Sequence, residues 1–146
     1  MEQQETYEQL RLENQLCFPL YAAARKITAA YTPFLKPLDL TYTQYVTLMV
    51  LWETDDIRIG ELCRRLYLDN GTVTPLVKKM ESAGLVTRHR SGEDERCVQV
   101  RLTEKGRGLR EQVREIPTKV GACIRRLDPE EAGSLYALLY KLLREE

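Results

Sequence analysis

The sequence predicts a mainly α-helical fold with a small β-wing. Three observations carry that expectation. Apolar residues recur at helical spacing along most of the chain. The pattern switches once, to two short apolar runs joined by a polar turn. And 146 residues suffice to bury one core without disulfides, but not to build a TIM barrel or a two-domain dehydrogenase.

Taken in order, residues 7–31 place Leu10, Leu16, Leu20, Ala24, Ile27 and Tyr31 at helical spacing. Pro33 and Pro37 are expected to end that helix. Pro19 lacks an amide and crowds the carbonyl four residues back, so the helix either begins near residue 17 or kinks there. Thr41 caps a second helix over 42–53, with Tyr45, Leu48, Met49 and Trp52 as its apolar face. A short helix follows over 59–66. Asp69 or Asn70 caps a fourth, which runs to about Ala83 and stops at Gly84. Strands are expected at 85–88 and 97–102, around a polar turn at 90–96. TEKG at 103–106 opens a long helix interrupted at Pro117. Asp128, Pro129, Glu130 and Glu131 begin the last helix, with a capping acid, proline at the first position and carboxylates in the first turn. Its stripe is Leu135, Leu138, Leu139 and Leu142. The order α-α-α-α-β-β-α-α is that of a winged helix-turn-helix over 41–102, flanked by terminal helices at 7–31 and 103–146. The whole of 1–146 reads as one domain.

The 22 Lys and Arg balance 22 Asp and Glu, so the formal net charge is zero. That excludes a bulk polycation but not a local basic patch. A charged fraction of 30% beside 43% apolar residues excludes a disordered chain. No apolar run approaches the roughly 18 residues of a membrane span. The acidic start MEQQE is unlike a signal peptide, so a cytoplasmic protein with reduced thiols is expected. Its cysteines stand singly at 17, 63, 97 and 123, and His89 is the sole histidine. Zinc and thioredoxin-type motifs therefore have no support, and no metal or cofactor is expected.

The charge is unevenly spread. Residues 64–90 hold six cations against two acids, whereas 1–16 and 128–146 each carry three excess negative charges. A solvated helix face would also show such a cluster, but the topology adds weight to a DNA reader. Asn70, Gly71, Thr72 and Thr74 open the fourth helix, the end that reads base edges in the major groove. Thr72 and Thr74 also suit plain capping. Pro75 is expected to be tolerated because first-turn amides lack partners. Lys78 and Lys79 follow one turn later, where phosphates would lie. Arg88, Arg90 and Arg96 sit on or beside the wing, whose tip would reach the minor groove. Asp94 is either a turn residue or the group that orients Arg96. His89 reads as a phosphate neighbour rather than a metal ligand.

These residues resemble the MarR family of winged-helix regulators. RSGEDER at 90–96 and VRLTEKG at 100–106 resemble that family's wing and the helix after it. NQLCFPLY at 14–21, LTYTQY at 40–45 and LDNGTVTPL at 68–76 resemble its organic hydroperoxide-resistance repressor branch. The resemblance spans about residues 12–140. It implies a homodimer built from the terminal helices, binding double-stranded DNA at a pseudo-palindromic operator. Two recognition helices about 34 Å apart would enter successive major grooves. It further implies repression, relieved when an organic hydroperoxide oxidises a sensor cysteine.

That sensor is Cys17 in the matching motif. The thiolate is the nucleophile, so a sensor needs a lowered pKa. A helix start near Asn14 would supply a positive dipole end. Tyr21 and Tyr31 match the tyrosines that bond the sensor sulfur in the family, Tyr31 from the other subunit. Both also suit aromatic packing, as do Tyr42 and Tyr45, and Cys17 itself suits burial as a small apolar residue. Phe18, Leu20, Met49 and Trp52 are candidates for an apolar entrance. Family members with two cysteines place the second after the wing, in the other subunit, and Cys123 follows Gly121 and Ala122 there. The resemblance thus favours a Cys17–Cys123 intersubunit disulfide, a small external thiol being the alternative. Cys63 reads as core and Cys97 as incidental. Rival functions are a repressor released by a phenolic or lipophilic ligand, a thiol-dependent peroxidase, and a purely structural dimerisation module. The peroxidase lacks a Thr-x-x-Cys motif, so a regulator rather than an enzyme is expected.

Overall fold

A computed structural model describes residues 7–122 and 126–144. The N-terminal stretch departs from expectation. Residues 8–14 form two single 3-10 turns, Glu8–Leu10 and Leu12–Asn14, rather than part of a long helix. Side chains compete with a helical ladder there: Asn14 Nδ2 donates to the Glu8 carbonyl at 2.8 Å and Gln15 Nε2 to that of Gln9 at 2.6 Å. The helix α1 is Cys17–Leu35. Pro19 lies in its first turn, where its missing amide has no intrahelical partner, so the helix begins at Cys17. Pro33 does not end it. Its cost is confined to one lost bond to the carbonyl four residues back, and the helix runs two residues further.

Helix α2, Tyr42–Glu53, starts from a capping box. Thr41 Oγ1 accepts from the Gln44 amide, and Gln44 Oε1 from the Thr41 amide. Its buried face is Tyr45, Thr47, Leu48, Val50 and Leu51, so Met49 is more exposed than expected. The Thr47 hydroxyl is satisfied by the Thr43 carbonyl at 2.7 Å. Then come β1, Ile57–Arg58, and α3, Ile59–Leu66. Tyr67 turns the chain in a left-handed conformation, and Asp69 Oδ1 caps α4, Asn70–Ser82, by accepting from the Thr72 amide at 2.7 Å. Gly84, at φ +74°, leads into the hairpin of β2, Val86–Arg90, and β3, Val98–Leu102. The sheet has the order β1-β3-β2, all antiparallel, with Ile57 opposite Val100 and Val86 opposite Leu102. Only two strands were expected; two residues are too short to show alternation.

Helix α5, Glu104–Val113, is capped by Thr103. A break ahead of Pro117 separates it from α6, Ile116–Gly121, as expected. Helix α7, Pro129–Leu143, opens with a capping box between Asp128 and Glu131. The core runs from Leu35 through Leu48, Leu62, Val73, Val77, Met80 and Val100 to Val120. It lies between α2, α4, the sheet and α5. A Cβ at Gly106 would collide with the Leu85 carbonyl oxygen, so only glycine lets α5 cross the strand entry this closely. Trp52 Nε1 donates to the Gly106 carbonyl at 2.9 Å and ties α2 to the same point. Helix α7 buries no residue, and Leu135, Tyr136, Leu138 and Leu142 remain exposed. Among the described residues no helix is long and apolar enough to cross a membrane.

Candidate nucleic-acid interface and thiol site

Helix α4 divides cleanly. Val73, Val77 and Met80, at spacings of four and three, are fully buried. Asn70, Gly71, Thr72, Lys78 and Lys79 are exposed on the other side, and Thr74 is half-buried. Anchored by its apolar face, the helix projects the predicted reading residues outward from its N-terminus. Pro75 lies beyond the first turn, contrary to expectation. It leaves the Gly71 carbonyl without its helical donor, on the solvent side where water can serve it.

The wing arginines fall into two groups. Arg88 is not projected freely. Its Nε donates to Glu81 Oε2 at 2.9 Å and its amide to Glu81 Oε1 at 3.1 Å, which joins β2 to α4. These bonds hold the Glu81 carboxyl below the usual carboxylate range, the Arg88 amide contributing most. Arg90 and Arg96 are exposed, and Arg90 Nη1 donates to the Glu95 carbonyl at 3.0 Å, within the turn. Asp94 is a turn residue. It accepts from the Arg96 amide at 3.0 Å and from Cys97 Sγ at 3.4 Å, so it shapes the loop rather than orienting the Arg96 guanidinium. The first of these bonds is the main cause of its lowered pKa. His89 Nε2 lies 3.1 Å from Asp56 Oδ1, its side chain half-buried. A cleft of about 510 Å³ separates wing from helix-turn-helix, lined by Arg58, Gly60, Asn70, Thr74, Arg96 and Cys97. It brings predicted base-reading and wing residues to one surface. Cys63, read as core, is partly buried, and its Sγ donates to Asn70 Oδ1 at 3.3 Å. Burial and then the Asp69 charge push its thiol up, against thiolate chemistry.

Cys17 is exposed at the first position of α1. An open cleft of about 690 Å³ beside it is lined by Arg11, Leu12, Glu13, Gln15, Phe18 and Pro19. Of the four residues expected at an apolar entrance, only Phe18 lines this cleft. Its polar wall comes from the 3-10 turns that periodicity had assigned to a helix. Within one chain no hydrogen bond joins Cys17 to Tyr21 or Tyr31. Tyr21 is exposed, with the Arg25 guanidinium 5.4 Å from its ring centre. Tyr31 packs on Tyr42 and Tyr45, at 4.9 and 5.6 Å between ring centres. Burial and then the Tyr31 neighbour push the Tyr42 and Tyr45 hydroxyls up, keeping them neutral donors. Cys123 lies outside the described residues. Among the described residues no cluster of His, Cys, Asp or Glu could hold a metal ion.

The family described as "Transcriptional regulator SarA/Rot" matches residues 29–113. The organic hydroperoxide resistance transcriptional regulator of Bacillus subtilis is 44% identical over 137 residues, covering 94% of this chain and 92% of that one. Reduced AbfR bound to DNA, a protein of Staphylococcus epidermidis, superposes at a TM-score of 0.77 with 34% identity, over 93% of this chain and 94% of that one. Disulfide-formed AbfR superposes at 0.61, with the same identity, over 94% and 96%. A cysteine-to-serine mutant of E. coli MarR complexed with operator DNA superposes at 0.81, with 26% identity, over 88% and 94%. The exposed reading end of α4, the cleft beside the wing and these likenesses agree: the chain belongs to the MarR family of DNA-binding winged helix-turn-helix regulators, in the branch of the organic hydroperoxide regulator, SarZ and AbfR.

Proposed function

We propose that this regulator is a homodimeric repressor that organic hydroperoxide releases from DNA by oxidising Cys17. Two copies would set their α4 helices into successive major grooves of a pseudo-palindromic operator. Asn70, Gly71, Thr72 and Thr74 would meet base edges, Lys78 and Lys79 phosphates, and Arg90 and Arg96 the flanking minor groove. Arg88 and Asp94 would act indirectly, by holding the wing in shape.

The Cys17 thiolate attacks the terminal oxygen of the peroxide, an S–O bond forms as the O–O bond breaks, and the alkoxide leaves as the alcohol by taking a proton from water. The sulfenic acid formed on Cys17 then condenses with the thiol of Cys123 from the other copy, expelling water. Tyr21, and Tyr31 of the other copy, would donate to the Cys17 sulfur. Strain from the new bond would shift the dimer helices and re-space the reading helices. A hundredfold loss of affinity requires only about 2.7 kcal/mol of coupling.

One observation carries this reading. Cys17 is exposed at the first position of α1, in a chain that is 44% identical, over 94% of its length, to the organic hydroperoxide resistance transcriptional regulator of Bacillus subtilis. The test is an operator shift assay with and without an organic hydroperoxide, read beside non-reducing gels. Wild type should leave DNA and run as a linked dimer. Cys17→Ser should stay bound, and Cys123→Ser should form no linked dimer. Release of Cys17→Ser by peroxide would overturn the redox reading. It would favour release by a small amphipathic ligand. A cavity of about 350 Å³, lined by Ala23, Ile27, Ala30, Val120 and Leu127 together with the cationic Lys26 and Arg126, suits such a molecule.

A further inference from the structure

The turn between α2 and β1 carries two adjacent carboxylates that the DNA-reading surface does not use. Asp55 Oδ1 accepts from the Leu102 amide on β3 and from the Asp56 amide, both at 2.8 Å. Asp55 Oδ2 accepts from Arg107 Nη2 on α5 at 3.0 Å. Asp56 adopts a left-handed conformation, φ +56°, that turns its carboxylate towards the hairpin. Its Oδ2 accepts from Arg101 Nη2 on β3 at 2.6 Å. Its Oδ1 is shielded from solvent and lies 3.1 Å from His89 Nε2 on β2, though not in hydrogen-bond alignment. Gln99 Nε2 donates to the Asp56 carbonyl at 3.5 Å. Two consecutive residues thus bond to β3 and to the helix behind it, and lie against His89 of β2. Asp56 keeps a non-glycine residue in a costly backbone region, and the contacts made there are what hold it. Burial pushes the Asp55 carboxyl up, but the Leu102 and Asp56 amides and Arg107 outweigh it and hold the group ionised.

The wing tip makes a contrast. Its bonds run within the hairpin, from Ser91 to Cys97 and from Asp94 to Arg96 and Cys97. The angle of so self-contained a lever is set at its base. There Glu81 holds β2 from the α4 side, and the Asp55–Asp56 pair holds β3 from the α2–α5 side. We infer that Asp55 and Asp56 are positioning residues for the wing, fixing its angle to the recognition helix and hence its reach into the groove flanking each half-site. The inference rests on the reading of α4 and the wing as the DNA-binding surface.

The test needs two duplexes. The first is an operator selected by wild-type protein from a randomised duplex pool. The second is the same operator trimmed of the base pairs outside its two major-groove half-sites. On the full duplex, Asp56→Asn should lose about tenfold in affinity by fluorescence anisotropy. On the trimmed duplex it should match wild type within about twofold. Arg107→Gln frees Asp55 from α5 without touching the wing and should show the same selectivity, which guards against a folding defect in one variant. Equal loss on both duplexes, or no loss on either, overturns the positioning role alone. A selection in which wild type enriches no duplex overturns the DNA-reading surface, and the positioning role with it.

Discussion

Leu48, Leu62, Val73, Val77 and Met80 in the winged head lose all contact with solvent, whereas Leu10, Leu16, Leu138 and Leu142 near the ends of the chain keep more than half of theirs. The head satisfies its apolar faces internally. Its helices are capped by Thr41, Asp69 and Thr103, and its strands are pinned by Glu81, Asp55 and Asp56. Near the ends, the 3-10 turns ahead of α1 and the whole of α7 bury no residue. Full burial of one such leucine stabilises by about 1.5–3 kcal/mol. Several of them together exceed what a monomer would leave in water without a use for it. The difference separates two kinds of surface: the head holds its apolar faces inside, and the ends leave theirs free, where the proposed homodimer would use them.

The largest break in that contrast should come at α7. Asp in place of both Leu135 and Leu138 leaves the head intact but charges the exposed stripe. Sedimentation should then show a monomer with native helix content, and operator affinity should fall by at least about 100-fold as two half-sites stop acting together. A dimer that survives would locate the interface elsewhere. Gly106→Ala attacks the other side of the comparison. The added Cβ meets backbone, which cannot rotate away, so a loss of about 2–3 kcal/mol is expected in denaturant unfolding. An unchanged midpoint would mean that α5 tolerates displacement from the strand entry.

Asp55→Asn should have a smaller, pH-dependent effect. The folded pKa of Asp55 is lowered, so its contribution is present above the unfolded carboxylate pKa and is lost as pH falls through the folded value. The mutant should be less stable than wild type by about 1 kcal/mol near pH 7, the pair being partly exposed. The two unfolding curves should converge once pH drops below the ordinary carboxylate range. A gap that persists undiminished in acid would assign the effect to shape rather than charge.

The sequence made local features of the head legible and distant ones opaque. The capping boxes at Thr41 and Asp128 involve neighbours three residues apart, so the starts of α2 and α7 fell where the pattern put them. The outward residues of α4 were equally legible, because Val73, Val77 and Met80 declare the opposite face. Strand β1 was invisible, since Ile57 and Arg58 become a strand only by pairing with Val100 and Gln99, over 40 residues away. Arg88 read as a free wing cation and His89 as a phosphate neighbour for the same reason: Glu81 and Asp56 reach them through the fold. At the other end, hydrophobic spacing over 7–31 gave no warning that Asn14 and Gln15 would take the backbone bonds a helix needs. The ambiguity that Pro19 created at Cys17 resolves only once the helix is seen to start there.

The bond from Trp52 to Gly106 gives the molecule a built-in optical probe. Trp52 is the sole tryptophan, so all indole emission arises where α2 meets α5. A tilt of α5 relative to α2 would stretch or break that one indole hydrogen bond. The emission maximum and lifetime should therefore follow the change in the unlabelled protein, in real time, whichever effector sets it off.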